Sequence, residues 1–259
     1  ANFGPGFDCI GAALGLYNYI DMDFSDEPEI IVNGEGEGNI ASDETNLVYT
    51  AAKRVFERAN IDKPLKITLE NNIPLSRGLG SSAACIAGGI VVANHLAGNI
   101  LTLDEMIRLA TEMEGHPDNV VPALVGGFCL SAIHDKRVIY KRLAIPEWLK
   151  FVVCVPDFQL KTRQAREVLP KNISFDDAVF NISRCAMLVA SIALGEISDM
   201  NLFFEDKLHQ PYRSHLIPGL DAILKTARDK GAFASFLSGA GPSIVCLTLL
   251  ERSKNVGEF

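Results

Sequence analysis

One stretch, NIPLSRGLGSSAACIAGG at residues 72 to 89, constrains this chain more than any other. It places Gly78 and Gly80, two adjacent serines and a run of small apolar residues behind a proline. The apolar segment LKITLENNIPL ahead of it reads as a strand. Behind it, Ala83, Ala84, Ile86, Ala87, Ile90, Val91 and Leu96 read as a buried helix, in which Gly88 and Gly89 cost stability but permit close backbone packing. A glycine-rich turn between strand and helix presents successive backbone N–H groups at the positive end of the helix dipole, a ready seat for phosphate.

Three readings of that loop compete. A lysine-bearing phosphate loop, G-x-x-x-x-G-K-[ST], fails because no Lys follows Gly80. The dinucleotide fingerprint G-x-G-x-x-G/A fits Gly78, Gly80 and Ala83, but the acidic residue expected about twenty positions on is missing where the chain reads GNILT. A tight structural turn with glycines at positive φ stays open.

Composition narrows the partners. With 48% hydrophobic and 22% charged residues over 259 positions, the chain has enough apolar content for one large core or two smaller ones. Its net charge of -8 argues against a nucleic acid partner, since Lys and Arg supply that affinity, so any bound anion must be held locally. The six cysteines lie in apolar contexts without CxxC or His-paired spacing and read as reduced core thiols of a cytoplasmic protein. No uninterrupted apolar run has the length of a membrane span, so no membrane partner is expected. The chain opens at ANFGPGFD without an initiator Met and closes at NVGEF, and both ends are expected to be cut relative to the gene product.

Along the chain, 9 to 32 reads as short strands, 33 to 46 as a polar loop, and 47 to 60 as a helix with Val48, Ala51, Ala52, Val55 and Phe56 on one face. Thr102 and Glu105 form a T-x-x-E capping box ahead of the apolar face Leu103, Met106, Ile107, Ala110 and Met113. HPDN reads as a proline turn opening a helix at VVPAL. Later come strands at 151 to 155 and 232 to 237, helices at 176 to 194 and 218 to 230, Gly231 as a cap, and a last strand SIVCLTLL. A composition dip at 134 to 150 suggests a seam, giving an α+β chain with domains 1–145 and 146–259 and no internal repeat.

The segments P-x-x-x-G-L-G-S-S-A-A (74 to 84), N-x-G-P-G-F-D (2 to 8) and S-G-A-G-P-S (238 to 243) together resemble the signature motifs of the GHMP small-molecule kinases. EGHPDNVVPALVGG, TRQAREVLP and QPYRSHLIPG narrow the resemblance to those members that phosphorylate homoserine, over essentially the whole chain. The strand usual before the first motif and the end of the C-terminal domain are expected to lie outside this stretch of sequence. The resemblance implies an N-terminal domain like ribosomal protein S5 domain 2 and a ferredoxin-like C-terminal domain. It also implies transfer of the ATP γ-phosphoryl group to the hydroxyl of L-homoserine on the route to threonine.

Roles follow residue by residue from that resemblance. Pro74, Arg77, Gly78, Leu79, Gly80, Ser81, Ser82 and Ala83 would wrap the phosphates of ATP, with Ser238, Gly239 and Gly241 from the second glycine turn. Ser82 and Glu112 would complete a Mg²⁺ shell, with Glu114, two residues on, as the near alternative and a solvated acid as the plain reading of Glu112. Arg166 and Arg213 would hold the substrate carboxylate and Asp8 its ammonium, with Asn2 and Thr162 as further polar contacts. Asn119 stands where many relatives carry an aspartate base. An amide cannot be a general base, so Asn119 would orient the hydroxyl, with Asp8 or Asp118 as the runner-up base. A different GHMP kinase acting on an isoprenoid alcohol or sugar, or a non-catalytic nucleotide-binding module, are the alternatives. The family's tendency to dimerise adds a homodimer, with CLSAIHDKRVIY either buried or at a subunit contact.

Overall fold

Strand β1 (Ile10–Ala12) marks where the chain leaves one folded unit for the other in the computed structural model, which describes residues 3–258. The first unit holds Ala12–Leu75 and Gly80–Lys141. The second holds the segment ending at Gly11, the short piece Ser76–Leu79, and everything from Arg142 onward.

In the first unit, β2 (Tyr19–Phe24) and β3 (Glu29–Gly34) flank β4 (Leu65–Asn71), which follows helix α1 (Leu47–Ala59). β2 pairs with β4 antiparallel and β3 pairs with it in parallel. Alternation decides which face of β4 is inside: Leu65, Ile67, Leu69 and Asn71 are buried, the residues between them less so. Helix α1 covers that face with Val48, Ala51, Ala52, Val55 and Phe56, the stripe its periodicity predicts. Asn46 caps its start by accepting the Val48 N–H at 2.9 Å, and Asn60 ends it in the left-handed region at φ 55.

Helix α2 (Ser81–Leu96) lies against α1 at very short range. A methyl group on Gly89 would come within 2.8 Å of the Val48 carbonyl oxygen, so glycine there is required by the neighbouring backbone. Val91, expected inside, is 44% exposed, because the helix buries only the side facing α1 and the next helix. That helix, α3 (Leu103–Glu114), has the expected capping box: the Glu105 carboxylate accepts the Thr102 N–H at 2.8 Å. α4 (Pro117–Val125) follows with proline in its first position, as HPDN suggests. β5 (Phe128–His134) and β6 (Arg137–Leu143) are sheet neighbours joined by Asp135 and Lys136, both at positive φ (47 and 65). The expected seam at 134 to 150 therefore contains strand β6, and the change of unit falls within it at Arg142.

The second unit is built on an antiparallel sheet ordered β7 (Leu149–Cys154), then β9 (Ile244–Leu249), then β8 (Ala234–Leu237). Around it run α5 (Thr162–Glu167), α6 (Phe175–Leu194), α7 (Met200–Phe203), α8 (Gln210–Arg213), α9 (Leu220–Asp229) and α10 (Ser253–Gly257). The amino-terminal segment packs here through Phe3, whose ring lies 4.8 Å from that of Phe236 and 5.9 Å from that of Phe151. This aromatic contact ties the segment ending at Gly11 to the later part of the chain rather than to residues 12–75 and 80–141. One helix among the described residues, α6, is long and apolar enough to cross a membrane by length and composition alone. It is not an uninterrupted apolar run, so the expectation about such runs stands. It carries Asp176, Asp177 and Arg184, turns Asn181, Leu188, Ser191 and Ile192 inward, and leaves Phe175, Ile182 and Leu194 exposed.

Candidate active site

The glycine loop is built in two halves, one in each unit. In the second unit, Gly78 adopts φ 76, and a methyl group there would collide with the Ser238 carbonyl oxygen. Ser238 returns the contact, its hydroxyl donating to the Gly78 carbonyl at 2.8 Å, while the Ser243 N–H donates to the Arg77 carbonyl at 3.2 Å. The second glycine turn therefore holds the first in shape, with Gly239 at φ 55 and Gly241 at φ 85. Arg77 directs its guanidinium to the carbonyls of Pro156 and Phe158, and its neighbour Ser76 accepts the Leu160 N–H at 3.0 Å. Arg77 thus fastens the loop to the stretch after β7. Leu79 is half-buried beside it.

In the first unit, Gly80 at φ 77 caps α2 and offers no side chain to its amides. The first-turn N–H groups consequently have no side-chain acceptor at the cap. Ala83 is buried on the inner face of the helix, and Pro74 is half-buried upstream. Two buried polar atoms nearby lack a hydrogen-bond partner among the described residues: the Ser81 hydroxyl and Asn119 Oδ1. Asn119 Oδ1 would lie 3.3 Å from a methyl group on Gly80, so the amide oxygen faces the cap itself. Buried polar groups are nearly always paired, so both atoms have hydrogen-bonding capacity to offer a ligand.

Asn119 is oriented by its neighbour. Its amide Nδ2 donates to Asp118 Oδ2 at 3.3 Å, and Asp118 Oδ1 lies 2.6 Å from His116 Nδ1. Asp118 is 1% exposed and both its oxygens are engaged, which suits a positioning carboxylate better than a base. The Ser82 hydroxyl donates to Glu114 Oε2 at 2.8 Å. Glu112 is exposed, about 200° around α3 from Glu114. The structure therefore brings Glu114, the alternative, to the serine, while Glu112 stays exposed on α3.

The other cluster lies in the second unit. Asp8, at φ 55, receives Arg166 Nη1 at 3.0 Å and Nη2 at 2.6 Å, a bidentate pair with both side chains about one-third exposed. The Arg166 guanidinium lies 5.2 Å from the Phe7 ring centroid, which fixes its plane. Thr162, at the start of α5, is exposed. Arg213 differs from Arg166: it is 1% exposed and donates to the carbonyls of Ala165 and Gly239, both at 2.9 Å. Its Nη1 also lies 3.2 Å from Nδ1 of His209. Asn2 lies outside the described residues.

Sequence reasoning passed over His209 and Asp206. His209 is fully buried, and its Nε2 lies 2.8 Å from the Gly4 carbonyl oxygen. With Arg213 on one nitrogen and a carbonyl on the other, the ring is neutral, with Nε2–H donating and Nδ1 accepting. Burial lowers its pKa below the ordinary histidine value. Asp206 accepts the N–H groups of Leu208, His209 and Gln210 at 2.9, 2.9 and 2.6 Å, capping α8. Polar residues at positions 206 and 209, shortly before QPYR, are the sequence signal for either residue.

Comparison with known proteins gives the same direction. Residues 46–127 match the GHMP kinases N terminal domain and residues 188–258 the GHMP kinases C terminal model. A homoserine kinase of Caldicellulosiruptor bescii is 50% identical over 248 residues, covering 95% of this chain and 81% of that protein. One of Carboxydothermus hydrogenoformans is 48% identical over 259 residues, covering 99% and 84%. The crystal structure of homoserine kinase from Cytophaga hutchinsonii superposes with a TM-score of 0.89 at 32% identity, covering 100% of this chain and 85% of that one.

Proposed function

The chain belongs to the GHMP kinases, and on that premise we propose that it transfers the γ-phosphoryl group of ATP to the side-chain hydroxyl of L-homoserine, giving O-phospho-L-homoserine on the route to threonine. The observation that carries the choice of acceptor is the Asp8–Arg166 pair, each side chain about one-third exposed. An amino acid presents a carboxylate and an ammonium on one carbon. A fork and an acid already facing each other can exchange partners with that zwitterion at little net electrostatic cost. An isoprenoid alcohol or a sugar offers no such exchange. Arg213 supports the site from beneath by holding the Ala165 and Gly239 carbonyls, and Thr162 adds a polar contact.

The residues present fit a nucleotide triphosphate. The uncapped start of α2 supplies amides, Ser81 supplies a buried hydroxyl in need of a partner, and Gly78 and Gly80 keep side chains out of the way. Ser82 and Glu114 provide two oxygens of the kind magnesium takes, and the ion, when bound, neutralises charge on the transferring phosphoryl group. Asn119 accepts the hydrogen bond of the homoserine hydroxyl through its orphaned Oδ1 and so aims the nucleophile. The proton then leaves late, to a phosphate oxygen or water. A cytoplasmic homodimer with neither nucleic acid nor membrane as partner completes the proposal, the exposed apolar face of α6 being open to a second copy.

The test is a coupled ADP-release assay across L-homoserine, L-threonine, L-serine, mevalonate and galactose, with the product identified by mass. Turnover confined to homoserine is expected. Turnover only with a non-amino-acid alcohol would keep the kinase and remove the head-group role of Asp8 and Arg166.

A further inference from the structure

Partner exchange at Arg166 raises a mechanical question. A guanidinium released by Asp8 sits on a flexible stem and would swing into water before it met the carboxylate of a substrate. Two groups hold the Arg166 side chain among the described residues: the Asp8 carboxylate, through bonds of 3.0 and 2.6 Å, and the face of Phe7, whose ring centroid lies 5.2 Å away. Once Asp8 lets go, the ring is what remains. An aromatic face attracts a cation through its quadrupole, without the fixed donor–acceptor line of a hydrogen bond, so this contact survives a change of partner at the N–H groups.

Phe7 is itself tied to buried side chains. The Arg213 guanidinium lies 5.3 Å from its ring centroid, and the His209 ring lies 5.3 Å away at 36°. Both of those side chains are buried, and Arg213 is fastened to the carbonyls of Ala165 and Gly239. Ala165 immediately precedes Arg166, so the buried arginine fixes the backbone of the exposed one while Phe7 receives its head. The main chain on either side of the ring is held too. His209 Nε2 reaches the Gly4 carbonyl at 2.8 Å, and the Gly6 carbonyl accepts the N–H groups of Cys9 and Ile10 at 3.2 and 3.0 Å. The ring is a fixed plate with one buried cation and one exchangeable cation against it.

We propose that Phe7 is the positioning residue of the head-group site: its ring keeps the Arg166 guanidinium in place while Asp8 releases the fork and turns to the substrate's ammonium. This deepens the homoserine kinase reading and rests on it. Phe7 acts through Arg166 on the end of the substrate remote from the hydroxyl. Losing the plate therefore weakens ground state and transition state alike, which raises the KM for homoserine and leaves kcat nearly alone.

The test places mono-, di- and trifluorophenylalanine at position 7 in turn. Fluorine withdraws density from the ring face while scarcely changing its size, so a packing role is left intact and a cation-binding one fades step by step. The expected result is a homoserine KM that climbs along the series, to about threefold to tenfold with the trifluoro ring, the worth of one partly exposed cation–π contact. The kcat and the KM for ATP should stay where they are. In Arg166→Ala the series should go flat, because the group it acts through is gone. A flat series in the otherwise unsubstituted protein overturns the proposal, and so does a slope that persists in Arg166→Ala, which would assign the effect to Arg213. The fluorine resonance of the monofluoro ring should shift in Arg166→Ala with no substrate present; an unmoved resonance overturns the contact whatever the turnover. A protein that ignores homoserine while that resonance still shifts overturns the function and leaves the contact standing.

Discussion

Arg166 and Arg213 carry the same charge toward the same part of the unit, yet their surroundings assign them different work. Arg213 is buried and spends its N–H groups on two carbonyls and a histidine, so it organises the chain. Arg166 is one-third exposed and holds one carboxylate with two parallel bonds, so it can change partner. Replacing Arg166 by lysine keeps the charge and removes the fork. We expect Arg166→Lys to raise the homoserine KM by about 10- to 100-fold, the equivalent of roughly 1.5–3 kcal/mol for a charged hydrogen bond, with the KM for ATP little changed. Steady-state kinetics with each substrate varied will read that split. Asn119→Ala should instead lower kcat by about 100-fold with smaller changes in either KM, because aiming the hydroxyl matters mainly in the transition state. Near wild-type kcat in that variant would remove the orienting role and return attention to Asp8 and Asp118.

At the scale of elements, glycines divide into those that meet something and those that do not. Gly78 and Gly115 both take positive φ, 76 and 90. A methyl group on Gly78 meets the Ser238 carbonyl and lies 2.9 Å from the Gly241 nitrogen, whereas one on Gly115 meets nothing within 4 Å. Gly115→Ala should cost only the conformational penalty of about 1 kcal/mol. Gly78→Ala adds a collision of backbone with backbone and should cost about 1–3 kcal/mol more, seen as a lower urea midpoint. Equal losses in the two variants would mean that the second glycine turn does not brace the first. The same physics explains what was legible beforehand. Helices α1 and α3 were readable because one stripe of each is buried and their caps use local side chains. The β5–β6 hairpin was not, since its outer residues Ile133 and Ile139 are 56% and 49% exposed and its turn lacks glycine. Glycine loops announce themselves in sequence because only glycine tolerates their backbone. Which glutamate of α3 meets Ser82 does not, because Glu112 and Glu114 differ only in which side of the helix they occupy.

Across the whole molecule, contacts between residues far apart in the chain decide what the sequence withheld. Phe3 joins Phe151 and Phe236, which carries the amino-terminal loop into the later unit, and no local pattern announces such a partnership. His209 is the polar counterpart, reaching the Gly4 carbonyl 205 positions away. Its consequence is a pH dependence of global stability. Burial is the main cause of its lowered pKa, with Arg213 acting in the same direction and Asp206, the Gly4 carbonyl and Asp8 acting against it. The unfolded chain therefore takes up a proton near the ordinary value of 6.5, at a pH where the folded chain still refuses it. The stabilising contribution of neutral His209 is complete above that value and is lost as the pH falls through it toward the folded pKa. The slope can reach about 1.4 kcal/mol per pH unit for one proton. Urea unfolding of the intact chain from pH 5 to 8 should show stability falling on the acidic side. His209→Gln keeps an N–H for the Gly4 carbonyl but cannot titrate, and its curve should be flatter over that range by about one proton. Parallel curves for the two proteins would mean that His209 is protonated in the fold, and the neutral tautomer linking Arg213 to the Gly4 loop would have to be abandoned.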